Sequence, residues 1–241
     1  MTESLLRLPR LPDLSARVRA EEIMDRPGLE RERHLRSLDA LAVVGRLSRT
    51  APRVWAAVRR LAARGVRPVR VLDVACGGGD VLNDLARRAR RSGIDVRLVG
   101  CDASEVALER ARAHAGGSAR FERVDVLRDP LPGSHDVVTC SLFLHHLGER
   151  EAAGLLRAMA ERAEHVLLVQ DLRRSRLGYV LAWATLRVIT RSDVARSDGP
   201  VSVRAAFTPE EAEALAREAG LEEAVVRRCW PQRWRLRWER S

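Results

Sequence analysis

The sequence contains no lysine, so all 43 of its basic side chains other than histidine are arginine. The formal net charge at pH 7 is +10, which favours contact with acidic partners such as nucleic acid. A chain so rich in arginine and alanine can also reflect a GC-rich coding sequence, so the charge alone does not predict a nucleic-acid-binding protein. The absence of lysine does exclude a P-loop, because the GK[ST] motif requires one.

Cysteine is also scarce, and its spacing argues against two common kinds of site. The cysteines are widely separated and form no CxxC pair, which disfavours a disulfide framework and a zinc knuckle. We therefore predict no bound metal. The four residues are Cys76, Cys101, Cys140 and Cys229.

No apolar run approaches the roughly 20 residues that cross a bilayer. The longest candidate extends from Leu177 to Ile189 and contains Arg187. The first residues, MTESLLRLPRLPDL, lack the cationic segment, smooth apolar stretch and cleavage site of a secretion signal. We therefore expect a cytoplasmic protein without a membrane span.

From Val69 onward, strand-like and helix-like patterns alternate. Nearly continuous apolar segments such as VRVLDVA and HDVVTCS are separated by helical segments, as in a parallel sheet covered on both faces. The preceding segment predicts helices, with Pro52 in a first turn and Gly65 at an end. We predict a doubly wound α/β core over residues 67–241, preceded by a helical extension or lid over residues 1–66.

The C-terminal part departs from this alternation. Thr208 caps a helix in FTPEEAEALAREAG, and LEEAVVRRC and RWRLRWE then predict an antiparallel strand pair. Tryptophan and arginine alternate in RWRLRWE, so we interpret it as an edge strand with one buried and one solvated face. Before this tail, a helix in LGYVLAWATLRVI and a polar loop in RSDVARSDGPVS predict a cap over the sheet edge at about residues 173–206.

Three consecutive glycines follow the first predicted strand, in VLDVACGGGD. Glycines between a strand and a helix let the backbone approach a nucleotide closely. The dinucleotide fingerprint GxGxxG is incomplete, because Leu82 stands where the third glycine belongs. The second strand ends in Asp102, about 23 residues after Gly79, which is close to the spacing of a ribose-binding acid. Asp125 follows the third strand, where its side chain and an adjacent amide are placed to contact an adenine edge.

In order along the chain, VLDVACGGGD, VGCDAS, RVDV and DVVTCSLFLHHL resemble the four motifs of class I S-adenosylmethionine-dependent methyltransferases, a likeness that covers roughly residues 65–240. The final helix and strand pair are also typical of that family. The resemblance implies a seven-stranded, mostly parallel, Rossmann-like sheet with an antiparallel last strand, and S-adenosylmethionine as the cofactor. The cofactor-binding residues that it implies are Asp73, Ala75, Cys76, Gly77, Gly79, Asp102, Ala103, Asp125, Val126 and Ser141.

Two adjacent histidines follow the fourth strand, where the sheet edge meets an acceptor pocket. Because imidazole titrates at a pH of about 6.5, His145 and His146 are candidate bases for a phenolic or carbon-acid proton. We predict one histidine in the pocket and the other packed against the following helix, with His145 as the base. Arg173, Arg174 and Tyr179 follow the fifth strand and are predicted to contact the substrate.

Missing motifs narrow the identity of the methyl acceptor. TCSLF stands in place of the [DN]PP[YF] of base N-methyltransferases, and the acidic pattern of metal-dependent catechol methyltransferases is absent. We predict methyl transfer to a hydroxyl of a small phenolic or quinone-like molecule, similar to the reactions of bacterial secondary metabolism. The alternatives are carbon methylation of a similar ring, an RNA methyltransferase, and a non-catalytic binding scaffold. An aromatic content of 4% disfavours RNA, which is usually bound by stacking side chains. The sequence leaves the oligomeric state open.

Overall fold

The computed structural model describes residues 11–26 and 28–240, and seven strands of this part form one sheet in the order β3-β2-β1-β4-β5-β7-β6. The first five strands pair in parallel, and β7 pairs antiparallel with both β5 and β6. The predicted α/β fold with an antiparallel last strand is confirmed. The strands are β1 Val69–Val74, β2 Val96–Asp102, β3 Arg120–Arg123, β4 His135–Ser141, β5 Ala163–Leu172, β6 Val225–Cys229 and β7 Arg233–Glu239.

Helices cover both faces of the sheet, which is why the central strands are apolar at nearly every position. One buried cluster joins the sheet to α5 and α8, and a second joins it to α2, α3 and α4. The helices are α1 Arg31–Leu47, α2 Thr50–Ala63, α3 Asp80–Ser92, α4 Glu105–Ala115, α5 Glu149–Arg162, α6 Arg176–Ile189, α7 Asp193–Ala205 and α8 Pro209–Glu218. No helix in the described part of the chain is long and apolar enough to cross a membrane.

The segment predicted as a polar loop, RSDVARSDGPVS, is mostly helical and forms α7. Ser192 is its N-cap, with the hydroxyl accepting a hydrogen bond from the Ala195 amide at 3.2 Å. Gly199 and Pro200 lie within this helix, where α7 packs closely against α6. A Cβ atom added at Gly199 would lie 2.0 Å from Leu186 Cδ1, so the glycine permits this close approach. Pro200 is buried within α7.

The interpretation of RWRLRWE as an edge strand is wrong, and its arginine face is only partly solvated. This segment is β7, and β6 lies outside it in the sheet. Trp234 and Leu236 are buried as the alternation requires, and Arg235 on the opposite face is exposed. Arg233, however, is only 2% exposed. The start of β7 is therefore covered on both faces.

Candidate active site

The glycine-rich loop connects β1 to α3 at the carboxyl edge of the sheet. Gly77 and Gly79 adopt positive φ angles of 51° and 73°, which glycine tolerates without strain. The Asp102 carboxylate at the end of β2 accepts the Gly77 amide through Oδ2 at 2.8 Å and the Ser104 amide through Oδ1 at 2.9 Å. One side chain thus fixes two neighbouring loops. Each of its oxygens retains a further lone pair for a ligand hydroxyl.

A cavity of about 640 Å³, here named the donor cavity, opens beside this loop. Two residues assigned to the cofactor from sequence are not in its wall. Gly79 instead faces the protein interior, where an added Cβ atom would lie 2.9 Å from Ala111 Cβ. Asp73 lies at the end of β1, behind the loop. The assigned residues that do line the donor cavity are Ala75, Cys76, Gly77, Asp102, Ala103, Asp125, Val126 and Ser141.

Two polar groups near the donor cavity have no partner of their own in the described part of the chain. The Asp73 carboxyl is 2% exposed and accepts no hydrogen bond from these residues. Burial, reinforced by the charges of Asp102 and Asp80, raises its pKa to about 8. The Ser141 hydroxyl is also buried without a partner. A cationic ligand with polar atoms therefore fits this site, since it would favour ionisation of Asp73 and supply missing contacts.

His145 lies in a short 3₁₀ helix, Leu144–His146, directly after β4, and it is only 4% exposed. Its Nδ1 atom is 2.7 Å from Asp171 Oδ1, and its backbone amide donates to Asp171 Oδ2 at 3.0 Å. On the other side of the ring, Nε2 is 3.6 Å from Oε1 of Glu22. The same Glu22 oxygen accepts the Ser202 hydroxyl of α7 at 2.6 Å. The imidazole therefore lies between two buried carboxylates.

These surroundings give His145 a charge that its sequence context did not indicate. Burial alone would lower its pKa, but Asp171 and Glu22 outweigh burial and raise the pKa to about 10. The pKa values of Asp171 and Glu22 are lowered despite their burial, because both carboxylates face the imidazolium. At neutral pH, His145 is a buried cation and has no free lone pair with which to accept a proton.

His146 has a different environment although it is the adjacent residue. Its Nδ1 atom is 2.9 Å from Asp25 Oδ2, and its side chain is 20% exposed. The two imidazole rings are stacked at a tilt, with centroids 4.2 Å apart. We expected one histidine to pack against the following helix, but both histidines line a second cavity, distinct from the donor cavity. His146 also lines the donor cavity.

This second cavity, here named the acceptor cavity, has a volume of about 330 Å³. Apolar side chains of α1, α6 and α7 form much of its wall. The polar groups in the wall include Glu22, both histidines, Asp198 and Arg233. The two cavities adjoin, because four residues line both of them. These are Met24, Leu41, Leu142 and His146.

The three residues predicted to contact the substrate do not line the acceptor cavity. Arg174 is buried and pairs with Glu211, with Nη2 2.5 Å from Oε1. Arg173 hydrogen-bonds Gln232, and Tyr179 lies on α6 outside the wall. Arg173 and Arg174 therefore connect parts of the fold.

Glu22 and Asp25 are site residues that the sequence did not identify. Glu22 precedes and Asp25 ends a short 3₁₀ helix, Ile23–Asp25, whose first two amides donate to the Asp198 carboxylate at 2.9 and 3.0 Å. The acidic cluster EEIMD in an arginine-rich segment was the available signal. Glu22 and His145 are more than a hundred residues apart in the sequence, so no local pattern indicates their contact.

Comparison with known proteins identifies the type of domain. Residues 71–164 match the family model described as a methyltransferase domain. A ubiquinone biosynthesis O-methyltransferase from Neisseria meningitidis serogroup C is 38% identical over 101 residues, which are 39% of this chain and 40% of that protein. A demethylmenaquinone methyltransferase from Deinococcus radiodurans is 39% identical over 119 residues, 48% of this chain and 46% of that protein. The chain thus aligns with less than half the length of these two curated relatives.

The fold is shared with a solved structure as well. The magnesium protoporphyrin IX methyltransferase of Synechocystis PCC 6803, solved with bound S-adenosylhomocysteine, superimposes with a TM-score of 0.56 at 20% identity. The match covers 82% of this chain and 84% of that one. The chain therefore carries a methyltransferase domain with the Rossmann-like fold of such enzymes.

The charged pair of His145 and Asp171 makes a pH-dependent contribution to stability. The folded-state pKa of His145, about 10, lies above its unfolded value of about 6.5, so the contribution is complete below pH 6.5 and is lost as the pH rises through 10. We expect Asp171→Asn to lower the free energy of unfolding by about 3 kcal/mol at pH 7. The difference in the free energy of unfolding between wild type and Asp171→Asn should be smaller at pH 10.5 than at pH 7, as measured by urea denaturation.

Asp193→Asn is the matched control, because that carboxylate pairs with Arg33 at the surface. It should alter stability little at either pH. A deficit in Asp171→Asn that stays constant between pH 7 and pH 10.5 would mean that His145 is not charged in the folded protein.

Proposed function

We propose that this chain, which carries a methyltransferase domain, transfers a methyl group from S-adenosylmethionine to a hydroxyl of a small aromatic or quinone-like molecule. The observation that carries the proposal is the pair of adjoining cavities. One is lined by the glycine-rich loop and Asp102, the other is largely apolar, and His146 lines both. The names of the relatives, which act in quinone biosynthesis, support an aromatic acceptor.

The donor cavity holds the groups that S-adenosylmethionine requires. Asp102 would accept the ribose hydroxyls, and Asp125 with the Val126 amide would contact the adenine edge. The loop at Ala75–Gly77 would face the methionine portion, and the positive charge of the ligand would favour ionisation of the buried Asp73 behind the loop. When bound, the cofactor supplies a methyl group already activated by a sulfonium, so the protein has mainly to align the nucleophile and control one proton.

We assign the proton transfer to His146 in preference to His145. Asp25 accepts a hydrogen bond from Nδ1 of His146, which leaves Nε2 free to remove the acceptor's hydroxyl proton. The resulting positive charge on the imidazole is balanced by Asp25. The His145 cation next to it carries no lone pair for this task, and its ring nitrogens face Asp171 and Glu22. The proton later leaves from His146 to solvent.

The N-terminal segment completes the enclosure. Residues of the 3₁₀ helix Ile23–Asp25 and of α1 line both cavities, and Asp198 of α7 holds the 3₁₀ helix through two amides. We propose that residues 1–66, of which 11–26 and 28–66 are described, act as a lid and residues 173–206 as a cap, and that both exclude water from the reacting groups. The free cysteines of the described chain accord with a cytoplasmic location, which we also propose.

Removal of the ribose contact tests the donor site. Asp102→Ala should weaken the binding of S-adenosylhomocysteine by about 10- to 100-fold, because a charged acceptor of two hydroxyls is lost. Isothermal titration calorimetry measures the affinity directly. Asp84→Ala, a surface change on α3 away from both cavities, should alter it less than about twofold. Equal affinity in wild type and Asp102→Ala would exclude this assignment.

Turnover across a range of pH separates the two histidines. With radiolabelled S-adenosylmethionine and extracted metabolites as acceptors, His146→Gln should lower kcat by about 100-fold or more at pH 7. The residual rate should rise with pH, because the acceptor hydroxyl then ionises in solution. His145→Gln should lower the rate without removing the dependence on a base. If His145→Gln instead gave the large loss with a residual rate that rises with pH, and His146→Gln did not, His145 would be the base.

We further propose that the reaction needs no metal ion. Glu22, His145 and His146 place potential ligand atoms within 4.8 Å of one another, but the imidazolium, its two carboxylates and the Ser202 hydroxyl already satisfy this group. Dialysis against EDTA should therefore leave turnover unchanged. Loss of activity on dialysis and its recovery with a divalent cation would show instead that these residues bind a metal.

A further inference from the structure

One of the residues that line the acceptor cavity, Arg233, has a guanidinium group without a partner in the described part of the chain. Arg233 begins β7 beside Leu172 of β5 and is only 2% exposed. Its Nε and Nη1 atoms are completely buried and unpaired, and its side chain makes no hydrogen bond to the part of the chain that the structure describes. Buried polar groups in native proteins nearly always have a partner, so this exception requires an explanation.

Other arginines with buried side chains show what is missing at Arg233. Arg174 pairs with Glu211, and Arg110 pairs with both Asp39 and Asp80. Among residues 11–26 and 28–240, no carboxylate lies within 4.0 Å of the Arg233 guanidinium. Arg110 and Arg174 are thus neutralised by carboxylates, whereas Arg233 has no such partner among the described residues.

Asp171, the acidic residue near Arg233, already accepts hydrogen bonds from other groups. Asp171 favours the charge of Arg233 through space, but its oxygens accept hydrogen bonds from the side chain and amide of His145 and from the amide of Leu172. A second cation, Arg53, is close enough to disfavour the charge of Arg233. Arg53 itself is held by Gln170 Oε1 at 3.0 Å and by two backbone carbonyls. Neither Asp171 nor Arg53 therefore supplies Arg233 with a hydrogen-bonding partner.

Arg233 and His146 differ in the cavities that they line. His146 lines both cavities, whereas Arg233 lines only the acceptor cavity. We propose that Arg233 binds a carboxylate of the methyl acceptor, outside the donor cavity. The planar guanidinium matches a carboxylate through two parallel hydrogen bonds. The acceptor class is thus a hydroxylated aromatic carboxylic acid, an inference that rests on the proposed function and narrows it.

A matched pair of probes tests this proposal without turnover. 6-Hydroxy-2-naphthoate and 6-hydroxy-2-naphthamide have nearly the same shape and differ in charge. With saturating S-adenosylhomocysteine, the wild-type protein should bind the carboxylate at least about tenfold more tightly than the amide in calorimetric titrations. Arg233→Gln should remove this preference by weakening only the carboxylate. Arg235→Gln should retain it, because Arg235 lies on the same face of β7 but is exposed.

Arg233→Lys serves as a second variant that keeps the charge and loses the planar fork, and it should show a preference between those of wild type and Arg233→Gln. Equal binding of the two probes by wild-type protein, or binding of neither, would overturn the proposal. So would a preference that survives in both Arg233 variants. Titration of S-adenosylhomocysteine into the same preparations tests the proposed function separately from the role of Arg233. Failure of that binding contradicts the proposed function, whereas normal binding without carboxylate preference contradicts only the role of Arg233.

Discussion

A protonated histidine between two buried carboxylates organises the carboxyl edge of the sheet. His145 follows β4, Asp171 ends β5, and Glu22 comes from the segment before α1. Any one of these charges buried alone would be strongly unfavourable, whereas together they offset much of one another's loss of hydration. Because the three groups need one another, they fix the relative positions of two strands and the N-terminal segment. Ser202 extends the same arrangement to α7.

This arrangement also explains how two adjacent histidines acquire different chemistry. His145 is enclosed and charged, while His146 pairs with the partly exposed Asp25 and lines both cavities. Neighbouring groups with the same side chain can thus serve as a fixed charge and as a base, according to their surroundings. The position of His146 depends on its neighbour, since the short 3₁₀ helix that carries both residues is anchored by the contacts of His145 with Asp171.

The sequence was sufficient for the sheet, the glycine-rich loop and Asp102, because these depend on local patterns of burial and on the ends of consecutive parallel strands. It was insufficient where distant segments meet. Gly199 and Pro200 belong to a segment predicted as a polar loop, which packs against α6 as a helix, and Arg233 belongs to a pattern of alternation that predicts solvent exposure. Glu22 acquires its role through a contact with His145 that no spacing along the chain indicates.

The central claim is that the donor and acceptor cavities meet at His146 and together hold a sulfonium donor and its acceptor. A crystal structure with bound S-adenosylhomocysteine tests this claim most directly. We expect the nucleoside to contact Asp102 and Asp125 in the donor cavity and the sulfur atom to face the junction lined by Leu142 and His146. Binding of the nucleoside elsewhere, or with its sulfur directed away from the acceptor cavity, would contradict this claim.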